Sequence, residues 1–124
     1  MICIGECGQR GRGIFAERPI AGEELIEAAP VVVVPQTQIP QLDATPLGDY
    51  YFVWGEESDE AAILLGRCSL CNHSYEPNAR FELLPEQKSI AFVALRDIAV
   101  GEEITINYNG DPTCQEPVWF PTLP

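Results

Sequence analysis

Residues 101–108 read GEEITINY, a glycine-glutamate turn followed by a short apolar strand that ends at Tyr108. Apolar and polar side chains alternate over residues 104–106, which is typical of a strand with one buried face. Upstream, residues 70–79 read LCNHSYEPNA, where small polar side chains follow an apolar run. Polar groups at the edge of a core need hydrogen-bond partners, so this second segment is a candidate functional site.

The rest of the chain predicts a mainly β protein with few short helices. Its 124 residues fit one domain, and 10 glycines with 11 prolines supply many turns. Residues 11–26 and 80–95 each predict a hairpin, the second through a turn at 85–88. The other predicted elements are strands at residues 31–34 and 50–54, a loop at 36–48 and a helical turn at 61–65.

A Gly-Glu-Glu turn before a short apolar strand occurs twice, at residues 22–24 and 101–103. Such self-similarity indicates an internal duplication, or one turn solution that the chain uses twice. The sequence leaves both explanations open.

The charge balance narrows the class of partner. The chain carries 19 acidic and 7 basic residues, a formal charge of -12. Nucleic-acid binding needs a basic surface, so no direct nucleic-acid contact is expected and a basic protein or peptide is the better match. No run reaches the ~18 to 20 apolar residues of a membrane span, and residues 1–12 lack a signal-peptide layout. We therefore expect a soluble intracellular protein without membrane contact, cytoplasmic or, in a eukaryote, nuclear.

Five cysteines and one histidine are the candidate metal and nucleophile residues. Cys68 and Cys71 have CxxC spacing, but no second ligand pair follows, so no metal is predicted and reduced thiols are expected. A zinc or redox protein built on this pair is a rival hypothesis. His73 is the only histidine, and Ser74 beside it would point elsewhere on an extended backbone, which disfavours a Ser/His hydrolase.

Three motifs follow one another along the chain: GRG at residues 11–13, NHS at 72–74 with Pro77-Asn78, and GEEITINY at 101–108. Together they resemble the SET-domain family of protein-lysine N-methyltransferases over residues 11–110. The size and the closing PVWF at 117–120 are most similar to small stand-alone SET proteins of bacteria and large algal viruses. The resemblance implies a single SET domain over residues 1–124, with an aromatic tail at 111–124, small β-sheets and a C-terminal pseudoknot.

The resemblance also implies a cofactor and roles for individual residues. S-adenosyl-L-methionine would be the methyl donor, and Tyr108 would be the catalytic residue and contact the cofactor too. The other cofactor-binding residues would be Arg12, Gly13, Asn72, His73 and Trp119, with Asn72 and His73 at the amino-acid and adenine ends. The reaction would be methylation of a lysine side chain in a basic, histone-like protein.

Aromatic side chains suit the aliphatic stem and the methylated head of a lysine, and so they are candidates for a substrate channel. Tyr50, Tyr51 and Phe52 are the candidates for its wall, with Phe120 closing it, and ordinary strand packing is the alternative for at least two of the first three. An exposed strand edge would add the substrate peptide by β-augmentation. The apolar residues 31–34 in a small domain also lead us to expect a homodimer.

The sequence departs from the family pattern at four places, and these departures modify what the resemblance predicts. Tyr75 stands where many members have cysteine, and no CxC cluster follows Tyr108, so a zinc-bound lid is not expected. Asn107 replaces a more frequent aspartate. Arg67-Cys68 and Cys71 are atypical, which makes a catalytically inactive SET-like module that binds basic peptides the main alternative function.

Overall fold

Strands arranged in two sheets make up most of the regular secondary structure. The computed structural model describes residues 1–118. The strands are β1 (Ile2–Glu6), β2 (Arg12–Ala16), β3 (Leu25–Val34), β4 (Phe52–Trp54), β5 (Glu60–Leu64), β6 (Asn72–His73), β7 (Ala79–Leu84), β8 (Ser89–Ala94) and β9 (Glu103–Ile106). Within the same residues the single α-helix is α1 (Ile39–Asp43), and no helix has the length and apolarity needed to cross a membrane. The predicted mainly β class is confirmed.

One sheet has the strand order β1-β2-β9-β6 and the other β4-β5-β3-β8-β7. The hairpin predicted at residues 80–95 is confirmed, because β7 pairs with β8 through a 3-10 turn at Pro85–Gln87. The hairpin predicted at residues 11–26 is wrong, since β2 pairs with β1 and β9 whereas β3 pairs with β5 and β8. Gly11, at φ +75°, closes the turn from β1 into β2, so the glycine-rich segment turns the chain towards its upstream neighbour.

The helical turn predicted at residues 61–65 is also wrong, because this segment is strand β5. It lies between β3 and β4 and pairs with both. Ala61 and Ala62 are fully buried there, and their small side chains allow close packing on either face of the sheet. Tertiary pairing thus overrides the helix preference of an Ala-Ala-Ile-Leu sequence.

Strand β3 is longer than the predicted strand at residues 31–34 and runs straight through Pro30. Residues 25–30 pair with β8 and residues 31–34 with β5. Proline can occupy this position because its missing N–H falls where the strand changes partner, while its carbonyl still accepts a hydrogen bond from the Leu65 N–H at 2.9 Å. The predicted loop at 36–48 contains α1 and 3-10 turns at Gln36–Gln38 and Pro46–Asp49, and the strand predicted at 50–54 is the shorter β4.

The insertion of β9 between β2 and β6 organises the candidate site. Strand β9 is antiparallel to β2 but parallel to β6, with Asn72 opposite Thr105 and His73 opposite Ile106. The GRG, NHS and GEEITINY segments thereby lie side by side in one sheet. The chain beyond β9 folds back, and the Asn109 side chain donates to the Glu116 carbonyl at 2.8 Å. The pseudoknot itself stays a prediction.

Candidate active site

Tyr108 lies two residues beyond the end of β9 and is partly buried against the core. Its hydroxyl donates a 2.6 Å hydrogen bond to the carbonyl of Cys71. Burial, and then the nearby Cys71, Tyr50 and Glu103 groups, raise the pKa of Tyr108 well above its usual value. The phenol is therefore neutral at physiological pH, and it is a hydrogen-bonding group rather than a base.

His73 holds the backbone of this tyrosine. The Tyr108 N–H donates to His73 Nδ1 at 3.0 Å, and the two rings lie 5.2 Å apart. Burial lowers the pKa of His73, so the imidazole is neutral, with Nδ1 as its acceptor. The Tyr75 ring packs edge-on against His73 at 4.4 Å. The single histidine thus positions Tyr108, as expected for a structural histidine, and its predicted contact with the adenine end of a cofactor stays a prediction.

Asn72 lies at the centre of a polar cluster beside the GRG segment. Its side-chain N–H groups donate to Glu103 Oε2 at 2.7 Å and to the Arg12 carbonyl at 3.1 Å. The same Glu103 carboxylate accepts from the Cys7 thiol at 3.3 Å and pairs with the Arg10 guanidinium. Desolvation, then the Glu103 carboxylate, raise the pKa of Cys7, so this thiol is protonated.

Gly13 is glycine because this cluster occupies the space of a side chain. A Cβ there would come within 2.5 Å of Cys7 Sγ, 2.7 Å of Glu103 Oε2 and 2.8 Å of Asn72 Nδ2. Arg12, by contrast, is exposed, and its guanidinium has no partner among residues 1–118. The structure therefore brings Arg12, Gly13 and Asn72 together, as the motif order predicts.

Two buried asparagines support the site and were not singled out as functional residues. Asn78 bridges to β9, since its Oδ1 accepts from Thr105 N at 2.8 Å and its Nδ2 donates to the Glu103 carbonyl at 2.8 Å. Asn107 donates to the Cys114 carbonyl at 2.7 Å and accepts from Asn109 N at 3.0 Å. An aspartate could not donate the first of these bonds, which explains the amide at position 107. Both residues lie inside the quoted motifs, so a search for buried polar side chains there would have found them.

A cavity of about 790 Å³ opens beside Tyr108, and its lining does not include Asn72, Glu103 or Cys7 of the polar cluster. The predicted channel residues Tyr50, Tyr51 and Phe52 all line it. Phe52 also packs edge-on against Phe81 at 5.0 Å, so its ring belongs partly to the core, whereas Tyr50 is 43% exposed. Trp119 and Phe120, the remaining predicted cofactor and channel residues, lie outside the described residues.

Of the CxxC pair, Cys68 lies in the 3-10 turn Arg67–Leu70, and Cys71 follows that turn directly. Cys68 and Cys71 are both buried, and their contact, together with burial, strongly raises the pKa of Cys68. Within residues 1–118 no group of three or more His, Cys, Asp or Glu side chains is arranged to hold a metal ion. The atypical Arg67 also has a structural explanation, because its guanidinium donates to the Ile2 carbonyl at 2.8 Å and fastens β1 to this turn.

The sequence profile of a family described as the SET domain matches residues 11–109. The chain belongs to the SET-domain family. A Schizosaccharomyces pombe protein named histone-lysine N-methyltransferase, H3 lysine-37 specific, is 33% identical over 94% of this chain and 75% of its own length. Human histone-lysine N-methyltransferase 2B is 36% identical over 79% of this chain, which spans 4% of that protein. These relatives support the assignment of this SET domain as a protein-lysine N-methyltransferase.

Solved structures agree with the SET fold. A Plasmodium falciparum protein described as a histone methyltransferase superposes with a TM-score of 0.70 at 28% identity, covering 90% of this chain and 99% of that one. A Chaetomium thermophilum Polycomb Repressive Complex 2 structure gives a TM-score of 0.74 at 20% identity, over 87% of this chain and 15% of that chain. At this lower identity the second likeness concerns the fold alone.

Proposed function

We propose that this SET domain transfers a methyl group from S-adenosyl-L-methionine to the ε-amine of a lysine in a basic protein, with Tyr108 as the catalytic residue. The observation that carries the proposal is the position of Tyr108 between two surfaces. Its ring lines the aromatic cavity, while His73, which is next to Asn72 in β6, binds its backbone. One residue thus links a channel for lysine with the polar cluster at the GRG segment.

The polar cluster fits the amino-acid end of the proposed cofactor. Asn72 Oδ1 accepts no hydrogen bond from residues 1–118, so it is available to an ammonium group. The exposed Arg12 guanidinium suits a carboxylate. Gly13 has no side chain, which lets Asn72 and Glu103 lie close against the GRG backbone and brings Asn72 next to Arg12. We therefore assign Arg12, Gly13 and Asn72 to cofactor binding, and His73 is added to them on the family resemblance alone.

When bound, S-adenosyl-L-methionine supplies an electrophilic methyl group on a sulfonium cation. The lysine amine must be neutral to attack, and at pH 7.5 removing its proton costs about 4 kcal/mol from a reference pKa near ~10.4. The aromatic wall of the cavity lowers this cost because it disfavours the ammonium form. Tyr108 is itself protonated, so its contribution is to orient the amine rather than to deprotonate it.

A basic, histone-like tail is the proposed substrate class. Asp43 and Asp49 line the cavity, and the whole chain carries -12, which favours a cationic peptide. Strand β4 is an edge strand whose Phe52 and Val53 also line the cavity, so an extended peptide would pair along it. The fission yeast relative, whose name specifies histone H3, supports the same class.

The decisive experiment replaces Tyr108 by phenylalanine. Tyr108→Phe keeps the ring and its packing but removes the hydroxyl, and loss of such a group typically lowers kcat by about 10² to 10³-fold. We expect S-adenosyl-L-methionine to bind within a few-fold of wild type by calorimetry, while transfer of labelled methyl to histones or other basic proteins nearly disappears. Tyr75→Phe is the matched control, because it also removes one tyrosine hydroxyl, which donates to the Glu116 carbonyl, and Tyr75 is not among the residues that line the cavity.

Three results would contradict the proposal. Near wild-type transfer by Tyr108→Phe would remove Tyr108 as the catalytic residue. An equal loss in Tyr75→Phe would show that the effect is not specific to the cavity. A wild-type protein that binds basic peptides but neither cofactor nor labelled methyl would instead support the non-catalytic SET-like module.

A further inference from the structure

Glu103 holds residues from separate parts of the chain around one carboxylate. Its Oε2 accepts from the Asn72 side chain at 2.7 Å and from the Cys7 thiol at 3.3 Å, and its Oε1 pairs with the Arg10 guanidinium. These three partners come from β6 and from the turn between β1 and β2, whereas Glu103 begins β9. The Glu103 side chain is only 14% exposed, so its contacts are partly withdrawn from water. Of its partners, Asn72 is the one assigned to the proposed cofactor.

The position of Glu103 decides which end of the Asn72 amide faces the cluster. Asn72 Nδ2 has two oxygen neighbours, Glu103 Oε2 at 2.7 Å and the Arg12 carbonyl at 3.1 Å. A carbonyl and an arginine-paired carboxylate only accept hydrogen bonds, so an amide turned end for end would place Oδ1 against two acceptors and lose both bonds. The NH2 end is therefore fixed towards the cluster. Oδ1, which accepts nothing from residues 1–118, is fixed on the opposite side.

Glu103 contributes more to this orientation than the Arg12 carbonyl does. Its hydrogen bond from Asn72 is the shorter of the two, and it is charge-assisted. Hydrogen bonds to an ionised group are roughly twice as strong as those between neutral groups. A neutral amide in place of the carboxylate could either accept or donate at this point, so it would no longer impose one orientation on Asn72.

The orientation of Asn72 matters because the two ends of its amide recognise opposite groups. Oδ1 accepts hydrogen bonds and so favours an ammonium, whereas the NH2 end donates and would favour a carboxylate. The exposed Arg12 guanidinium already suits the carboxylate of an amino acid. With the amide reversed, Arg12 and Asn72 would both present donors, and the ammonium would lose its acceptor.

We propose that Glu103 is the positioning residue for the amino group of S-adenosyl-L-methionine, because it holds the Asn72 amide with Oδ1 towards the ammonium. Glu103 acts through Asn72 and does not itself touch the cofactor. The inference rests on the proposed function, from which it takes the role of Asn72. It adds the reason why this asparagine selects an amine, namely that the carboxylate behind it permits a single orientation of the amide.

The test measures how strongly each variant distinguishes a ligand that has the amino group from one that lacks it. S-adenosyl-L-homocysteine and its analogue without the α-amino group are titrated into the full chain by calorimetry, and the ratio of their dissociation constants is the amine selectivity. Glu103→Gln should lower this selectivity about tenfold, with binding of the deaminated analogue changed by no more than about twofold. Glu24→Gln is the matched control, because Glu24 also pairs with an arginine but belongs to a different turn, and it should keep the wild-type ratio.

A double variant separates positioning from structural support. Asn72→Asp combined with Glu103→Gln reverses the hydrogen bond, so that residue 103 donates, residue 72 accepts, and an oxygen again faces the ammonium. We expect its amine selectivity to rise several-fold above that of Glu103→Gln alone. Recovery should be partial, since the Arg12 carbonyl loses its donor. Circular dichroism checks the folding of each variant, and if Glu103→Gln does not fold, the ratio of the double variant is compared with that of wild type directly.

The possible results distinguish this inference from the proposed function. An unchanged ratio in Glu103→Gln, or an equal loss of both ligands by the folded variant, would make Glu103 a structural residue only. A folded double variant without recovered amine selectivity would also overturn the inference. A wild-type protein that binds neither ligand would instead refute the proposed function. Wild-type binding of both ligands with equal affinity would keep cofactor binding but remove the amine contact at Asn72.

Discussion

At the scale of single residues, the hydroxyl of Tyr108 has one proton and gives it to the Cys71 carbonyl. Only lone pairs then remain for a substrate, so the oxygen can accept an N–H from an incoming amine but cannot donate to it. Such a contact would turn the amine lone pair away from Tyr108. The Cys71 side chain is buried, and it is the backbone carbonyl of Cys71 that holds the Tyr108 hydroxyl.

A substitution of Asn72 tests the proposed cofactor site at the scale of single residues. Asn72→Ala removes the proposed acceptor for the cofactor ammonium and leaves Glu103 without one of its donors. We expect S-adenosyl-L-methionine affinity, measured by calorimetry, to fall by about 1 to 3 kcal/mol, the usual cost of an unpaired buried polar group. Asn109→Ala, whose side chain binds the Glu116 carbonyl instead, is the control. Equal affinities in a folded Asn72→Ala variant would place the cofactor elsewhere.

Among the site residues, those with distinctive spacing could be predicted from the sequence. Asn72, His73 and Tyr108 lie in short motifs, and His73 accepts a hydrogen bond from the Tyr108 N–H, while their joint role in a reaction stays a prediction. Glu103 could not be singled out, because one glutamate among 19 acidic residues carries no signal until its partners Arg10 and Cys7 are brought in from the N-terminus. The role of the Cys71 carbonyl is equally invisible, since every residue has such a group.

At the scale of elements, the two segments that carry the Gly-Glu-Glu pattern form turns with the same hydrogen bonds, but the equivalent positions are shifted by one residue, so that Glu24 matches Glu102 and not Glu103. Ala21 N donates to Glu24 and Ala99 N to Glu102, at 2.9 and 3.0 Å. In each turn an arginine pairs with that glutamate, Arg18 in the first and Arg96 in the second. The two turns meet at an antiparallel bridge between Ile20 and Ile98. An internal duplication and a turn solution used twice both predict this shared geometry, so it does not distinguish between the two explanations.

Glu23 and Gly101 occupy equivalent positions in the two turns, at φ 68° and 83°. Left-handed backbone costs a non-glycine residue about 1 to 2 kcal/mol, so Glu23→Gly should raise the free energy of unfolding by up to about 1 kcal/mol after the entropy of glycine is subtracted. Its ion pair with Arg80 is exposed and contributes little. Gly101→Ala is the reciprocal control, expected to destabilise by about 1 kcal/mol, since nothing lies within 4 Å of an added Cβ. Denaturant titration of both variants measures the two changes, and a shift of the same sign in both would refute the assignment.

Sequence patterns correctly predict the elements whose structure depends on residues that are near one another in the chain. The β7–β8 hairpin follows from its turn at residues 85–87. Strand β5 and the true partners of β2 depend on contacts between distant parts of the chain, which periodicity does not contain. For the same reason, the sequence predicts too short a β3. Pro30 looks like the start of a strand in the sequence, and only the sheet shows that it lies where β3 changes its partner strand.

At the scale of the whole molecule, acid should weaken the fold through carboxylates that are paired in the native state. The Arg96 guanidinium, with the Ala99 N–H, lowers the pKa of Glu102 to about 2, and Arg18 similarly lowers the pKa of Glu24. A lowered native pKa means that the stabilisation is complete above the unfolded value near 4.5 and is lost as pH falls towards about 2.

Glu102→Gln tests this acid sensitivity. We expect the variant to be less stable than wild type at pH 7 and to lose less stability between about pH 5 and about pH 2, because the charge that titrates is gone. Urea titrations at several pH values measure both effects. Glu57→Gln, at an exposed turn, is the control and should follow wild type throughout. Parallel pH profiles for Glu102→Gln and wild type would refute the prediction.

The insertion of β9 between β2 and β6 also has a consequence for synthesis on the ribosome. The strands of the five-stranded sheet all lie within residues 25–94, so their pairing does not depend on β9. The four-stranded sheet must wait for residues 103–106, and until then Ile14, which is fully buried in the finished protein, faces solvent. A chain released before residue 103 would therefore lack Tyr108 and leave the edge of β2 unpaired, which makes it a substrate for chaperones.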